Sequence, residues 1–181
     1  MIKEYNVNNK TIKVIDDVFS LHQRLFFYDA FRNSKYQIGW EDTGGIETLH
    51  LKNLFAQYNQ VDLERLNFIP TIQANPYTSH LFEKYCISKV VVNLSFANNT
   101  YYNHTHDEDM VLLYYGNLNW SSEWAGETLF YDEQCKEVEK AFAYTPGRLI
   151  IFDGKIPHTI RSQSASAPQF RFTMGIFWKK K

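Results

Sequence analysis

The sequence predicts an α+β fold in which helices come first and a jelly-roll-like barrel or sandwich of short strands follows. Three observations lead there. Apolar residues recur at three- and four-residue steps through much of 18–68, the spacing of one helix face. From Ile87 onward, runs rich in Val, Ile and aromatic residues alternate with Asn, Pro-Gly and Asp-Gly turn signals, the pattern of an all-β core. Within that half, Tyr101 to Asp109 gathers His104, His106, Asp107, Glu108 and Asp109, answered downstream by Pro157-His158 and Arg171-Phe172-Thr173. Histidines and carboxylates set among strands read as a mononuclear metal site inside a β-barrel.

Composition bounds what such a site can belong to. With 181 residues, 44% of them hydrophobic, the chain can bury a substantial core without disulfides, and one domain over 1–181 is expected. A formal net charge of -1 supplies no field to gather nucleic acid or an anionic membrane. Cys86 and Cys135 form no CxxC pair, so neither a disulfide framework nor a thiolate zinc site is indicated. The N-terminus lacks the apolar core of a signal peptide and no long apolar run follows, which leads to the expectation of a cytoplasmic protein. Oligomeric state is not legible in the pattern.

In chain order, Thr11 to Ile15 reads as a strand, and Asp16-Asp17 as the cap of a helix over Val18 to Phe31. That helix would present Phe19, Leu21, Leu25, Phe26 and Tyr28 to the core and leave His22 in solvent. Tyr36 to Trp40 resembles a short strand, and Asp42-Thr43-Gly44-Gly45 a loop. Leu49, Leu51, Leu54, Phe55 and Tyr58 suggest a second helix around His50, extended or restarted over Val61 to Phe68 and closed by Pro70. Residues 1–86 are thus expected to be mainly helical support, with 87–181 forming the β core. Strands are predicted at Ile87 to Phe96, which Asn98-Asn99 would break, then at Met110 to Tyr115, Leu129 to Tyr131, Ala141 to Tyr144, Arg148 to Phe152 and Gln169 to Trp178. Asp132, Glu133, Glu137 and Glu139 form an acidic connection, and the terminal Lys179-Lys180-Lys181 a solvated tail.

On an extended chain residues two apart face the same way, so His104 and His106 project together, and Glu108 joins them if the strand persists. Imidazole nitrogen and carboxylate oxygen suit a divalent first-row metal, and His158 would supply the distant third ligand. An HxH pair alone is a weak signal. The late histidine, the Pro-Gly turn and the strand carrying Arg171 make the combination specific.

From Val90 to Trp178 the sequence resembles the iron- and 2-oxoglutarate-dependent oxygenases, in their prolyl-4-hydroxylase-like branch. The resemblance rests on Tyr102-Asn103-His104-Thr105-His106, LLYYGN ending at Asn117, Trp120 with Trp124-Ala125-Gly126-Glu127-Thr128, Pro146-Gly147-Arg148, Asp153 to His158, and Arg171-Phe172-Thr173, in the family's order and approximate spacing. It implies a double-stranded β-helix (cupin-like) core and the cofactors Fe(II), 2-oxoglutarate and O2. His158 becomes the distal iron ligand and Arg171 the partner of the far carboxylate of 2-oxoglutarate. A guanidinium fork suits a carboxylate, and Thr173, two residues on, could donate to the same anion. Tyr115 matches a position where family members place a hydroxyl on that carboxylate, its plainer role being a core aromatic.

One departure stands out: His106 occupies the position where the family carries an aspartate. Three ligand sets are open, namely His104, His106 and His158; His106 and Glu108 with His158; or His104 with Asp107 or Glu108 through a distorted turn. The first is favoured slightly, with Glu108 close behind. The activity implied is hydroxylation of an unactivated C–H bond of a prolyl peptide or a small molecule, with release of succinate and CO2. Trp120 and Trp124 are candidate substrate contacts, although packing at the sheet edge is the favoured reading of them. A cupin-like metal dioxygenase that does not use 2-oxoglutarate would leave Arg171 without a reason, and a non-catalytic jelly-roll binding module would not need three histidines.

Overall fold

The computed structural model describes residues 2–39, 54–97, 101–168 and 170–181. Its strands are β1 (Ile2–Val7), β2 (Lys10–Ile15), β3 (Gln37–Ile38), β4 (Leu54–Tyr58), β5 (Tyr85–Ser95), β6 (Met110–Tyr115), β7 (Thr128–Tyr131), β8 (Val138–Phe142), β9 (Leu149–Asp153), β10 (His158–Ile160) and β11 (Arg171–Lys180). Eight of them form one antiparallel sheet in the order β1-β2-β9-β6-β11-β5-β4-β3, and the remaining three form a smaller sheet, β10-β7-β8. The helices are α1 (Leu21–Arg32), α2 (Gln60–Arg65), α3 (Phe68–Ala74) and α4 (Ser79–Lys84).

Alternation along the central strands builds two cores. In β11, Phe172, Met174, Ile176 and Trp178 join Leu112 and Tyr114 of β6 and Leu149 and Ile151 of β9 in a cluster with Phe27 and Phe31 of α1 and Phe68 and Ile72 of α3. Side chains of opposite parity, Val111 and Tyr115 of β6, Ile150 and Phe152 of β9 and Phe177 of β11, meet Phe130 and Phe142 of the small sheet. A strand buried on both faces reads as a continuous apolar run, as the central strands do. Helices, large sheet and small sheet therefore stack in three layers, and the two sheets enclose the space of the double-stranded β-helix. No helix among the described residues is long and apolar enough to cross a membrane.

The second half follows the predicted strands closely, apart from β8, which lies three residues earlier than Ala141 at Val138, and β10, which carried no signal of its own. The first half departs more. Residues 2–15 form a hairpin through Asn8 and Asn9, both in the left-handed region at φ 52° and 60°, and this hairpin extends the large sheet beside β9. Leu54–Tyr58 is a strand, not a helix, with Ala56 paired to Val92 of β5. The ambiguity is physical: a step of four returns a side chain to the same face of either a helix or a strand.

Asp16-Asp17 does not cap α1. Ser20 does, accepting from Gln23 N at 3.3 Å while Gln23 Oε1 accepts from Ser20 N at 3.0 Å. Asp16 instead takes the guanidinium of Arg148 at 2.7 and 3.0 Å. The buried face of α1 is Phe27 and Phe31, whereas Leu21, Leu25 and Phe26 are exposed. Pro70 sits in the first turn of α3, where its missing N–H costs nothing, and so does not close a helix. Cys86 and Cys135 are free and exposed. Trp40, the 42–45 loop, Leu49, His50, Leu51, Asn98-Asn99 and Gln169 lie outside the described residues.

Candidate metal centre and anion pocket

His104 and His106 lie in the connection between β5 and β6, and backbone pairing brings them to His158. His104 and His158 exchange two backbone hydrogen bonds of 3.0 Å, and His106 N donates to Gly154 O at 2.8 Å. Gly154 is required by close approach, since a Cβ there would stand 2.1 Å from Glu108 O. The three rings converge, with centroids 4.4 to 4.9 Å apart, and one ring nitrogen from each lies within 4.8 Å of the others.

Local hydrogen bonds set which nitrogen faces inward. His158 Nδ1 donates to Ile156 O at 2.8 Å and His104 Nδ1 to Tyr102 O at 3.1 Å, which leaves Nε2 of each ring as the lone-pair nitrogen. His106 Nε2 and His158 Nε2 stand 3.1 Å apart. Two nitrogens on one first-row metal at ordinary bond lengths lie about 2.9–3.3 Å apart, so this spacing fits a shared ion. Burial first, then the neighbouring His104, pulls His106 down to about 3, and burial with the other two histidines holds His158 well below its ordinary value. Both rings are therefore neutral near pH 7, the state a metal ligand requires.

The acidic residues of the run stay with other partners. Glu108 accepts from Ser88 Oγ at 3.2 Å and lies 3.9 Å from Lys89 Nζ. Asp107 is fully exposed and 3.8 Å from Lys155, which itself donates to His106 O, and Asp109 accepts from Lys180 N. The chain bends after His106 instead of continuing as a strand, so Glu108 does not follow the histidines onto their face. Among the described residues, the histidine, cysteine and carboxylate side chains placed so that they could hold a metal ion together are those of His104, His106 and His158.

From this centre the second core's face of β11 runs through Phe177, edge-on to His106 at 4.7 Å, then Gly175 and Thr173 to Arg171. Between them lies a cavity of about 50 Å³ whose walls include the three histidines, Asn93, Thr128 and Thr173. Arg171 is 1% exposed. Its Nη2 donates to Gly126 O at 2.8 Å and its guanidinium lies 4.6 Å from the Tyr144 ring centre. Among the described residues, Arg171 Nε and Nη1 and the Thr173 hydroxyl, all buried, have no hydrogen-bond partner. Among the described residues no carboxylate pairs with Arg171; Glu127 is instead within 3.6 Å of Arg161. A buried cation without an anion is costly and calls for one.

Tyr115, opposite Thr173 in the β6–β11 register, shares its hydroxyl with Thr128 Oγ1 at 2.7 Å, and burial raises its pKa. Trp120 and Trp124 do not reach the histidine cavity. They stand at the Arg171 end, where Trp120 packs on Tyr144 at 4.5 Å and on Trp124 at 5.7 Å. Two contributors went unnoticed in the sequence. Tyr144 lay inside a predicted strand run with nothing to mark it as the platform for Arg171, and Thr128 figured only as the last residue of the Trp124 to Thr128 motif, with no role of its own.

No family model and no curated protein matches the sequence. Solved structures do. A 2OG-Fe(II) oxygenase family oxidoreductase from Burkholderia pseudomallei superposes with TM-score 0.67 at 14% identity, over 94% of this chain and 85% of that one. The chain has the fold of the iron- and 2-oxoglutarate-dependent oxygenases. This oxygenase fold is shared with the Trichoplax adhaerens prolyl hydroxylase, solved with a hypoxia inducible factor peptide fragment, at TM-score 0.65 and 15% identity over 93% of this chain and 83% of that one. HygX from Streptomyces hygroscopicus, with nickel and 2-oxoglutarate bound, matches at TM-score 0.66 and 11% identity, over 94% of this chain and 83% of that one.

Proposed function

We propose that the protein is an Fe(II)- and 2-oxoglutarate-dependent dioxygenase that hydroxylates an unactivated C–H bond. The observation that carries this is Arg171, a buried guanidinium with two nitrogens that find no partner among the described residues, on the same face of the same strand that passes the three histidines. A dianionic 2-oxoacid meets both needs at once, giving a carboxylate to Arg171 and metal-binding oxygens at the histidines. When bound, iron(II) with 2-oxoglutarate and dioxygen supplies the oxidising power for hydroxylation, releasing succinate and CO2.

In this reading His104, His106 and His158 hold the metal as three neutral donors. Arg171 and the Thr173 hydroxyl orient the far carboxylate, and Tyr115 with Thr128 closes the wall beside it. Phe177, Val111 and Phe152 keep that space dry, which protects a strong oxidant from water. Trp120 and Trp124 wall the Arg171 end. For the substrate, a prolyl residue of a peptide comes first, by analogy with the Trichoplax enzyme and its peptide, and a small molecule second.

The test is an anaerobic titration with Fe(II) and then 2-oxoglutarate, followed by the weak visible charge-transfer band of the chelate. The band is expected in the wild type and absent in His158→Ala. In Arg171→Ala the 2-oxoglutarate requirement should rise about 10- to 100-fold, as loss of charge-assisted hydrogen bonds would give. Iron binding without any band would favour a cupin-like metal enzyme that uses no 2-oxoglutarate. Failure to bind iron would leave a binding module.

A further inference from the structure

Among the described residues, the guanidinium of Arg171 is held by one hydrogen bond, to Gly126 O, and by the rings of Tyr144 and, farther off at 5.8 Å, Tyr115. What fixes Gly126 therefore fixes the anion pocket. Gly126 has φ 86°, and a Cβ there would lie 3.1 Å from both Arg171 Nε and the Trp120 ring, so the backbone is pressed against the guanidinium. The 124–127 segment is laced to the β10–β11 connection by Arg161 N to Glu127 O at 2.8 Å, Ser164 N to Trp124 O at 2.9 Å and a bridge between Ala125 and Gln163.

That connection, 161–168, is small and polar, and Gln163 is its one buried residue, 2% exposed. Its amide donates to Ser95 O at 3.2 Å and Pro168 O at 3.4 Å, and its Oε1 lies 3.5 Å from the Ser95 hydroxyl. Ser95, on β5, is the register partner of Arg171, and its hydroxyl is also 3.3 Å from Arg171 O. Gln163 thus reaches Arg171 from two sides, by its backbone through Ala125 and Gly126 at the guanidinium and by its side chain, which anchors that backbone, through Ser95 at the strand.

We infer that Gln163 is a positioning residue for the anion pocket, setting the affinity for the far carboxylate of a 2-oxoacid by fixing Arg171 at both ends. This rests on the proposed function. A buried glutamine is well suited to the task, because its donors and acceptor can all be used at once without importing a charge beside the guanidinium.

The experiment measures two dissociation constants on the full chain: Mn(II) alone, and 2-oxoglutarate with the Mn(II)-loaded protein. Gln163→Ala is expected to weaken 2-oxoglutarate about tenfold, the loss of part of a charge-assisted contact, while Mn(II) changes less than about twofold. Since Gln163 acts through Arg171, adding Gln163→Ala to Arg171→Ala should bring no further loss. Ser95→Ala, which removes the hydroxyl that meets both Gln163 Oε1 and Arg171 O, should weaken 2-oxoglutarate in the same direction and serves if Gln163→Ala does not fold. Unchanged 2-oxoglutarate affinity in the variants overturns the inference. So does an equal loss of Mn(II) affinity, or an effect that persists without Arg171. If the Mn(II)-loaded wild type binds no 2-oxoglutarate, the proposed function itself fails and takes the inference with it, an outcome separate from the others because it needs no variant.

Discussion

Ala125 holds φ 56° and ψ -145°, a region that glycine enters freely and a Cβ resists. It stays there because its carbonyl accepts from Trp120 Nε1 at 2.8 Å and its backbone bridges Gln163, both part of the wall around Arg171. Ala125→Gly should therefore stabilise the protein by about 1 kcal/mol, strain relief exceeding the added entropy of the unfolded chain. Urea unfolding checks this, and an unchanged midpoint would mean the wall is not strained. At the same scale, Arg171→Lys keeps the charge and loses the fork, so it should bind 2-oxoglutarate about tenfold more weakly than the wild type. A titration matching the wild type would show that charge alone suffices. His104, His106, His158, Arg171 and Thr173 were legible as residues because their chemistry is rare among strands. Tyr144 and Gln163 were not, because an aromatic and an amide look alike wherever they pack.

Among the elements, α1 separates spacing from burial. Its sequence offers two apolar faces, and the structure buries Phe27 and Phe31 while Leu21, Leu25 and Phe26 remain exposed. Phe27→Ala should cost about 3–5 kcal/mol, whereas Leu25→Ala should change stability by less than about 0.5 kcal/mol. Equal losses in a chemical denaturation series would place the helix in the rotation the sequence suggested. Ser20→Ala removes one side of the capping box and should cost about 1 kcal/mol. Strand β4 teaches the same lesson. Leu51, Leu54, Phe55 and Tyr58 fit a helix by their spacing, and only pairing with the edge of β5 makes Leu54–Tyr58 a strand.

Across the whole molecule, Asp16, just after β2, and Arg148, just before β9, tie the N-terminal hairpin to the central sheet. The hydrogen bond from Arg148 holds the Asp16 carboxyl below its ordinary 3.8 in the folded protein. The unfolded chain therefore binds this proton more readily, so the pair's contribution is fully present above about pH 4 and is lost as pH falls through the lowered folded value. Asp16→Asn should unfold at lower urea than the wild type at pH 6, and the gap should narrow toward pH 3. A gap that does not change with pH would assign the effect to packing.

By itself the sequence determined the order of the strands from β5 onward and which rare side chains could form a site. Both are local: a Val-rich run between turns has little alternative to a buried strand, and polar, metal-ligating residues set among such runs are conspicuous. Tertiary structure decided which faces are covered and which acidic residues stay away. The bend after His106 turns Glu108 toward Ser88 and Lys89, backbone bonds to Gly154 and to His158 of β10 gather the three histidines, and enclosure by 124–127 leaves Arg171 with no anion among the described residues. These depend on contacts between residues far apart in the chain, and no local pattern encodes them.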